Sequence, residues 1–192
     1  MDKRDRIIYA AMEVFREKGI EKAKVSEIVK KAGIAQGTFY LYFPSRLSVM
    51  PYIAQKLVDM TVQSLEEQVD YEALILRQVE QIVQVIFEQA KASRDIFPFI
   101  YTGLKETNHL REWEEIYFPF YHWMSLWIAR HQEQGRVSPS VNPARTAKLM
   151  IALIETTAEQ SYWYDSASFE EVAAQKAELI QFTLAGLGVS KE

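Results

Sequence analysis

The chain has 192 residues, 48% hydrophobic and 25% charged, with a formal net charge of −4. That length and balance suit one large globular domain, or a small one joined to a larger one. The chain has no cysteine, which excludes a disulfide framework and a cysteine-based metal site.

The N-terminus, MDKRDRIIYAAMEVF, is charged and amphipathic and lacks the long apolar run of a signal peptide. No run of about 18 apolar residues occurs, so no membrane span is expected, and the cytoplasm is the expected location. The charge is uneven: residues 1–46 carry ten Lys/Arg against six Asp/Glu, net +4, and the remainder carries twelve against twenty, net −8. A basic head on an acidic body points to a polyanion met by the head alone. A solvated helix face with spare lysines would give the same count.

In chain order, nearly everything reads helical. Residues 3–18 place Ile7, Ile8, Ala11, Val14 and Phe15 on one face, with Gly19 as the stop. Residues 25–32 place Val25, Ile28, Val29 and Ala32 at helical spacing, and Gly33 ends that helix. Residues 36–42 form a third, short helix. Pro44-Ser45 opens a fourth, with Pro51 inside it as a kink or a restart. Helices are expected over 52–69 and 71–93, meeting near Asp70, and a shorter one near 95–105 contains Pro98. Residues 109–133 read as a long aromatic helix interrupted by Pro119 and ended by Gly135. Asn142 and Pro143 are a good N-cap and first residue for a helix from 143 to about 165. Ser168 and Glu171 stand at capping-box spacing at the head of a last helix, to about 186.

A helix of seven residues is too short to be stable alone. Two short helices joined by a glycine-containing turn fit a helix-turn-helix, whose second helix enters the DNA major groove. Phe39 and Phe43 lie four apart and can face inward, against Phe15 and Ile28. Gln36, Gly37, Thr38 and Tyr40 are left outward. Gly37 lets the backbone approach closely, Gln36 can pair with an adenine edge, and Thr38 can offer its hydroxyl or its methyl. Tyr40, Tyr42 and Arg46 suit phosphate oxygens. On spacing alone, ordinary core tyrosines explain the pattern equally well.

The stretch RIIYAAMEVFREKGIEKAKVSEIVKKAGIAQGTFYLYFPSRLSV resembles the DNA-binding domain of the TetR family of bacterial regulators. Matching features are Ala10-Ala11, Phe15, Gly19, Val25, Glu27, Ile28, Ala32-Gly33, Gly37-Thr38, Tyr40-x-x-Phe43, Ser45 and Arg46. The resemblance implies an all-α protein, with a three-helix DNA-binding head at 1–46 and a ligand-binding, dimerising body at 47–192. It further implies a homodimer that represses from a DNA operator. Three positions depart from the pattern. Lys24 stands where Ser or Thr usually caps the second helix, though it can still reach a phosphate. Ala35 replaces a frequent serine, and Leu41 replaces a polar or aromatic contact.

Between residues 97 and 127 lie Phe97, Phe99, Tyr101, Trp113, Tyr117, Phe118, Phe120, Tyr121, Trp123 and Trp127, with Tyr162, Trp163 and Tyr164 further on. Such rings are usually core, yet so many cannot share one face, and some are expected to line an apolar cavity. Candidates are Phe97, Tyr101, Trp113, Tyr117, Tyr121 and Trp163. A weaker likeness to the fatty-acid-degradation subgroup of TetR regulators implies an acyl-CoA effector, with Lys105, Arg111, Arg145 and Lys148 available for its phosphates. A hydrophobic drug or other cationic compound is the rival, with Glu114, Glu115, Glu155 and Glu159 available. Dimer contacts implied by the family are Leu149, Leu153, Thr156, Phe182 and Leu187. No GxSxG, P-loop or GxGxxG occurs, and His109, His122 and His131 lack ligand spacing, so no enzyme, metal or cofactor is expected. The alternative, a small-molecule-binding helical bundle without an operator, leaves the basic head unexplained.

Overall fold

The computed structural model describes residues 1–96, 112–164 and 168–189, apart from the side chains of Trp163 and Tyr164. Among the described residues there are eight α-helices and no strand. They are α1 Lys3–Lys18, α2 Val25–Ala32, α3 Gln36–Tyr42, α4 Met50–Gln68, α5 Ile75–Ser93, α6 Trp113–Glu133, α7 Pro143–Glu159 and α8 Phe169–Gly186. The helix expected near 95–105 lies almost wholly outside the described residues.

The first three helices follow their local signals. Asp2 caps α1 by accepting from the Asp5 amide at 2.7 Å. Gly33 ends α2 in the left-handed conformation, φ +63°, where a side chain would be strained. After α3, Ser45 and Ser48 each accept the other's amide in their side-chain oxygen, at 3.1 and 3.2 Å. A single tight turn, Leu47–Val49, then leads into α4. Pro51 falls in the first turn of α4, where its missing N–H costs nothing, so it starts the helix and does not kink it.

Later elements depart from expectation for identifiable reasons. Helix α5 begins at Ile75, not 71, because Asp70 organises a turn first. Its carboxylate accepts from the Glu72 amide at 3.0 Å, and its carbonyl accepts from Ala73 at 3.1 Å. Helix α6 runs unbroken through Pro119, contrary to the expected interruption. The carbonyl that Pro119 leaves without a donor belongs to Glu115, an exposed residue where water can replace the lost bond. Helix α7 starts as expected, with Asn142 accepting from Arg145 at 3.0 Å. It ends at Glu159 and widens into a π-turn over Gln160–Tyr164. Thr157 and Ser161 donate to the carbonyls of Leu153 and Thr157, at 2.7 and 2.8 Å, a pattern that distorts helices.

The chain divides into two compact units, Met1–Val58 with Asp95–Tyr117, and Asp59–Arg94 with Phe118–Glu192. In the first, α1 packs on α2 and α2 on α3. Ile7, Ala11, Phe15, Ile28 and Phe39 are fully buried there. In the second, α5 packs on α7 and α8, and α7 on α8.

At the centre of the second unit lies a polar network. Gln78 is fully buried on α5. Its amide nitrogen donates to the carbonyls of Tyr71 (3.2 Å) and Ala73 (2.8 Å). Its oxygen accepts from Trp127 Nε1 at 2.8 Å and lies 3.0 Å from His131 Nε2. Two carbonyl partners and an indole N–H fix which end of the amide is which. Nε2 of His131 therefore carries the proton. Burial, then the nearby Arg136 and Arg130 charges, push the His131 pKa from an ordinary 6.5 down to about 4.

Candidate nucleic-acid interface

Helix α3 owes its placement to what it buries. Phe39 is 0% exposed, and its ring lies 5.7 Å from that of Phe43, which is also buried. This turns the opposite face outward, where Gly37 and Tyr40 are exposed and Thr38 is half-buried, and Gln36 and Tyr42 at the two ends of the helix are exposed as well. Tyr40 stands edge-on to Phe39 at 5.4 Å. Tyr42 lies beside Phe43, ring centres 6.4 Å apart. A Cβ added at Gly37 would meet nothing within 4 Å, so that surface is open to close approach. Helix α3 carries no charged side chain. Its face can read base edges through an amide, hydroxyls and methyl groups.

Two arginines hold the turn and the chain around this helix. Arg6 reaches from α1 to the end of α2, donating to the Ala32 carbonyl at 2.6 Å and to that of Gly33 at 3.3 Å. A Cβ on Gly33 would come within 2.9 Å of the same guanidinium. Arg46, just after α3, donates through Nη1 to the carbonyls of Glu21 (3.2 Å) and Ala23, before α2. Nη1 of Arg46 is thus engaged by the protein's own backbone, and a phosphate would be met by the other N–H groups of the guanidinium. No signal within residues 44–48 names those partners, which lie 23 and 25 residues away.

Lys24 is exposed at the start of α2, and its backbone N–H donates to the Glu27 carboxylate at 3.1 Å. The reciprocal bond of a capping box is missing because an ammonium has no lone pair. Glu27 also pairs with Lys18. Lys18 first, then the Lys24 amide, hold its pKa below the usual carboxylate value. Lys31 pairs with Glu13 at 2.9 Å and with Glu17. These pairs engage two of the ten basic residues of the head with three of its six acidic ones, and its net charge of +4 is unchanged.

The body candidates divide. Trp113 is half-buried, with its ring 4.6 Å from that of buried Tyr117. Tyr121 is half-buried, and the Lys148 ammonium lies 4.9 Å over its ring. Phe120, Trp123 and Trp127 are core, and Phe118 is exposed. Glu159 is half-buried, and burial raises its pKa. Phe97, Tyr101, Lys105, His109 and Arg111 lie outside the described residues, as does the side chain of Trp163.

Of the dimer candidates, Leu149 and Phe182 are 69% and 67% exposed, Thr156 is exposed and Leu153 is half-buried. Leu187 is corrected: it is 0% exposed within one chain. Its carbonyl accepts from Ser138 at 3.0 Å, which holds it in the interior. Among the described residues, no group of three or more His, Cys, Asp or Glu is placed to hold a metal ion. Nor is any helix among them long and apolar enough to cross a membrane.

Comparison with known proteins agrees with this geometry. The family model for bacterial regulatory proteins of the tetR family matches residues 7–50. The model for the tetracyclin repressor-like C-terminal domain matches residues 79–187. An uncharacterised HTH-type transcriptional regulator of Bacillus subtilis, YvdT, is 35% identical over 188 residues, covering 98% of this chain and 96% of that one. Among solved structures, the fatty acid degradation regulator FadR of Bacillus halodurans superposes with a TM-score of 0.76 at 23% identity, over 99% and 98% of the two chains. FadR of Bacillus subtilis, in complex with stearoyl-CoA, gives 0.75 at 20% identity, over 95% and 98%. At such identities these two structures attest to the fold alone.

Proposed function

The chain belongs to the TetR family of DNA-binding transcriptional regulators, and on that premise we propose that it is a homodimeric repressor, released from a palindromic operator by a small apolar or amphipathic effector. Residues 1–46 act as the DNA-binding head and 47–192 as the effector-binding and dimerising body, in the cytoplasm. The observation that carries this reading is the outward face of α3 over a fully buried Phe39. Gln36 and Thr38 read bases, Gly37 admits the backbone, and Lys24, Tyr40 and Tyr42 meet phosphate oxygens.

Exposed Leu149 on α7 and Phe182 on α8 support the pairing of these helices with their symmetry mates. A two-fold interface is self-complementary, so a single inserted charge appears twice. Leu153 and Thr156 belong to the same face. For the effector, an acyl-CoA is favoured over a hydrophobic cation. The Bacillus subtilis FadR structure that shares this fold holds stearoyl-CoA, and α6 offers the rings of Trp113, Tyr117 and Tyr121. Effector binding releases DNA only if it favours one dimer geometry over the other. A tenfold release needs about 1.4 kcal/mol of such preference, which two buried methylenes supply at about 0.8 kcal/mol each.

The test is release of a duplex, selected from a random pool, by palmitoyl-CoA, free CoA and a lipophilic cation in parallel. Palmitoyl-CoA is expected to release DNA and quench tryptophan fluorescence while free CoA does neither. Release by the cation alone would replace the effector class. A wild type that is monomeric at micromolar concentration by light scattering would overturn the dimer.

A further inference from the structure

We infer that Leu41 is a specificity-determining residue, reading thymine in the major groove through the thymine 5-methyl group. The inference rests on the proposal that α3 enters the major groove. Leu41 is 83% exposed, on a helix whose other large purely apolar side chain, Phe39, is fully buried. At 3.6 residues per turn, Gly37 and Leu41 each lie about 160° from Phe39, on either side of the opposite pole. They form the outermost line of α3, flanked by Tyr40 and Thr38. Helical side chains lean toward the N-terminus and cover the preceding turn. Leu41 therefore leans over Gly37, which has no side chain to compete for that surface and whose Cβ position is open.

The chemistry of this pole selects its partner. Helix α3 has no charged side chain, and an isobutyl group neither donates nor accepts a hydrogen bond. It gains nothing from a phosphate or from a guanine or adenine edge. The major groove offers one apolar feature, the 5-methyl of thymine. Docking a leucine there removes both from water.

The experiment replaces each thymine of a duplex, selected from a random pool by the wild-type protein, with deoxyuridine, one pair position at a time. Deoxyuridine pairs identically and lacks only the methyl. The wild type is expected to bind about fourfold more weakly at one thymine per half-site, the worth of about one buried methyl group. Leu41→Ala is expected to be indifferent to the same replacement and to select sequences without that thymine preference. Leu41→Met, still apolar, is expected to keep it. Because Leu41 is exposed, both variants fold. A flat uridine scan in the wild type, or an unchanged scan in Leu41→Ala, overturns the inference and leaves DNA binding through α3 standing. A wild type that selects no sequence overturns both.

Discussion

Helix α3 buries Phe39 and turns Tyr40 and Tyr42 outward, whereas α6 buries Tyr117, Phe120, Trp123 and Trp127 and turns out Phe118. Both segments are dense in aromatic residues, and density alone says nothing about which of them meets a partner. In α3 one buried ring sets the far face, Gly37 and Leu41 with Tyr40 and Thr38 beside them, by helical angle, so that part of the outward surface is determined by spacing. In α6 four rings are interior while Trp113 and Tyr121 are half-buried, and the polar tip of Trp127 is satisfied by Gln78, 49 residues earlier in the chain. Aromatic residues mark a surface only where a polar environment for them lies outside the fold.

The sharpest way to break this contrast is to remove the ring that holds α3. Phe39→Ala is expected to cost about 3–5 kcal/mol, measured by urea unfolding, because the site is fully buried. DNA binding should be lost with it. A cost under about 1 kcal/mol would mean that α3 is anchored by something else.

Acid tests the interior of the second unit. His131 is neutral when folded, with a pKa of about 4 against an ordinary 6.5, so the unfolded chain takes up a proton that the folded chain refuses. Stability is complete above about pH 6.5 and falls as the pH drops toward 4, by about 3 kcal/mol in all. The groups around the imidazole are Trp127 and Gln78, with the Arg130 and Arg136 charges nearby and the Tyr71 ring beneath Arg130. Urea titrations of wild type and His131→Phe between pH 4 and pH 7 should differ in slope. Equal slopes would remove His131 from the acid response.

Arg46→Ala separates positioning from phosphate contact. If its guanidinium ties the chain after α3 to the chain before α2, affinity for every duplex falls roughly tenfold while the salt slope stays unchanged. A slope lower by about one would restore the phosphate role. The smallest effect on stability is expected from Trp127→Phe, which shrinks the indole to a phenyl ring and removes one N–H donor to Gln78. It should cost about 1–2 kcal/mol in urea unfolding, the lost hydrogen bond and the smaller ring together. No loss would show that the network's geometry does not need the indole.

The head was legible because its punctuation is local. Gly19 and Gly33 end the helices they flank, and Phe39 and Phe43 stand one turn apart. What escaped depends on contacts distant in sequence. The backbone anchoring of Arg46 escaped because a basic residue after a recognition helix gives no hint of carbonyls 23 and 25 residues earlier. Leu187 looked like an interface leucine at the end of the last helix, but the chain returns at Ser138 to bond it into the interior. Pro119 looked like a break, yet its lost bond falls on an exposed residue where water can replace it. Gln78 carried no signal at all: one glutamine among many becomes a buried hub only once α5 and α6 are packed.

The most direct measurement is selection of duplexes from a random pool by the wild type and by Gln36→Ala, side by side. A palindromic motif for the wild type, with preference lost at one base pair per half-site for Gln36→Ala at a cost of about 1–3 kcal/mol there, is the expected result. Identical motifs from the two proteins, or none from the wild type, would contradict base readout by the outward face of α3.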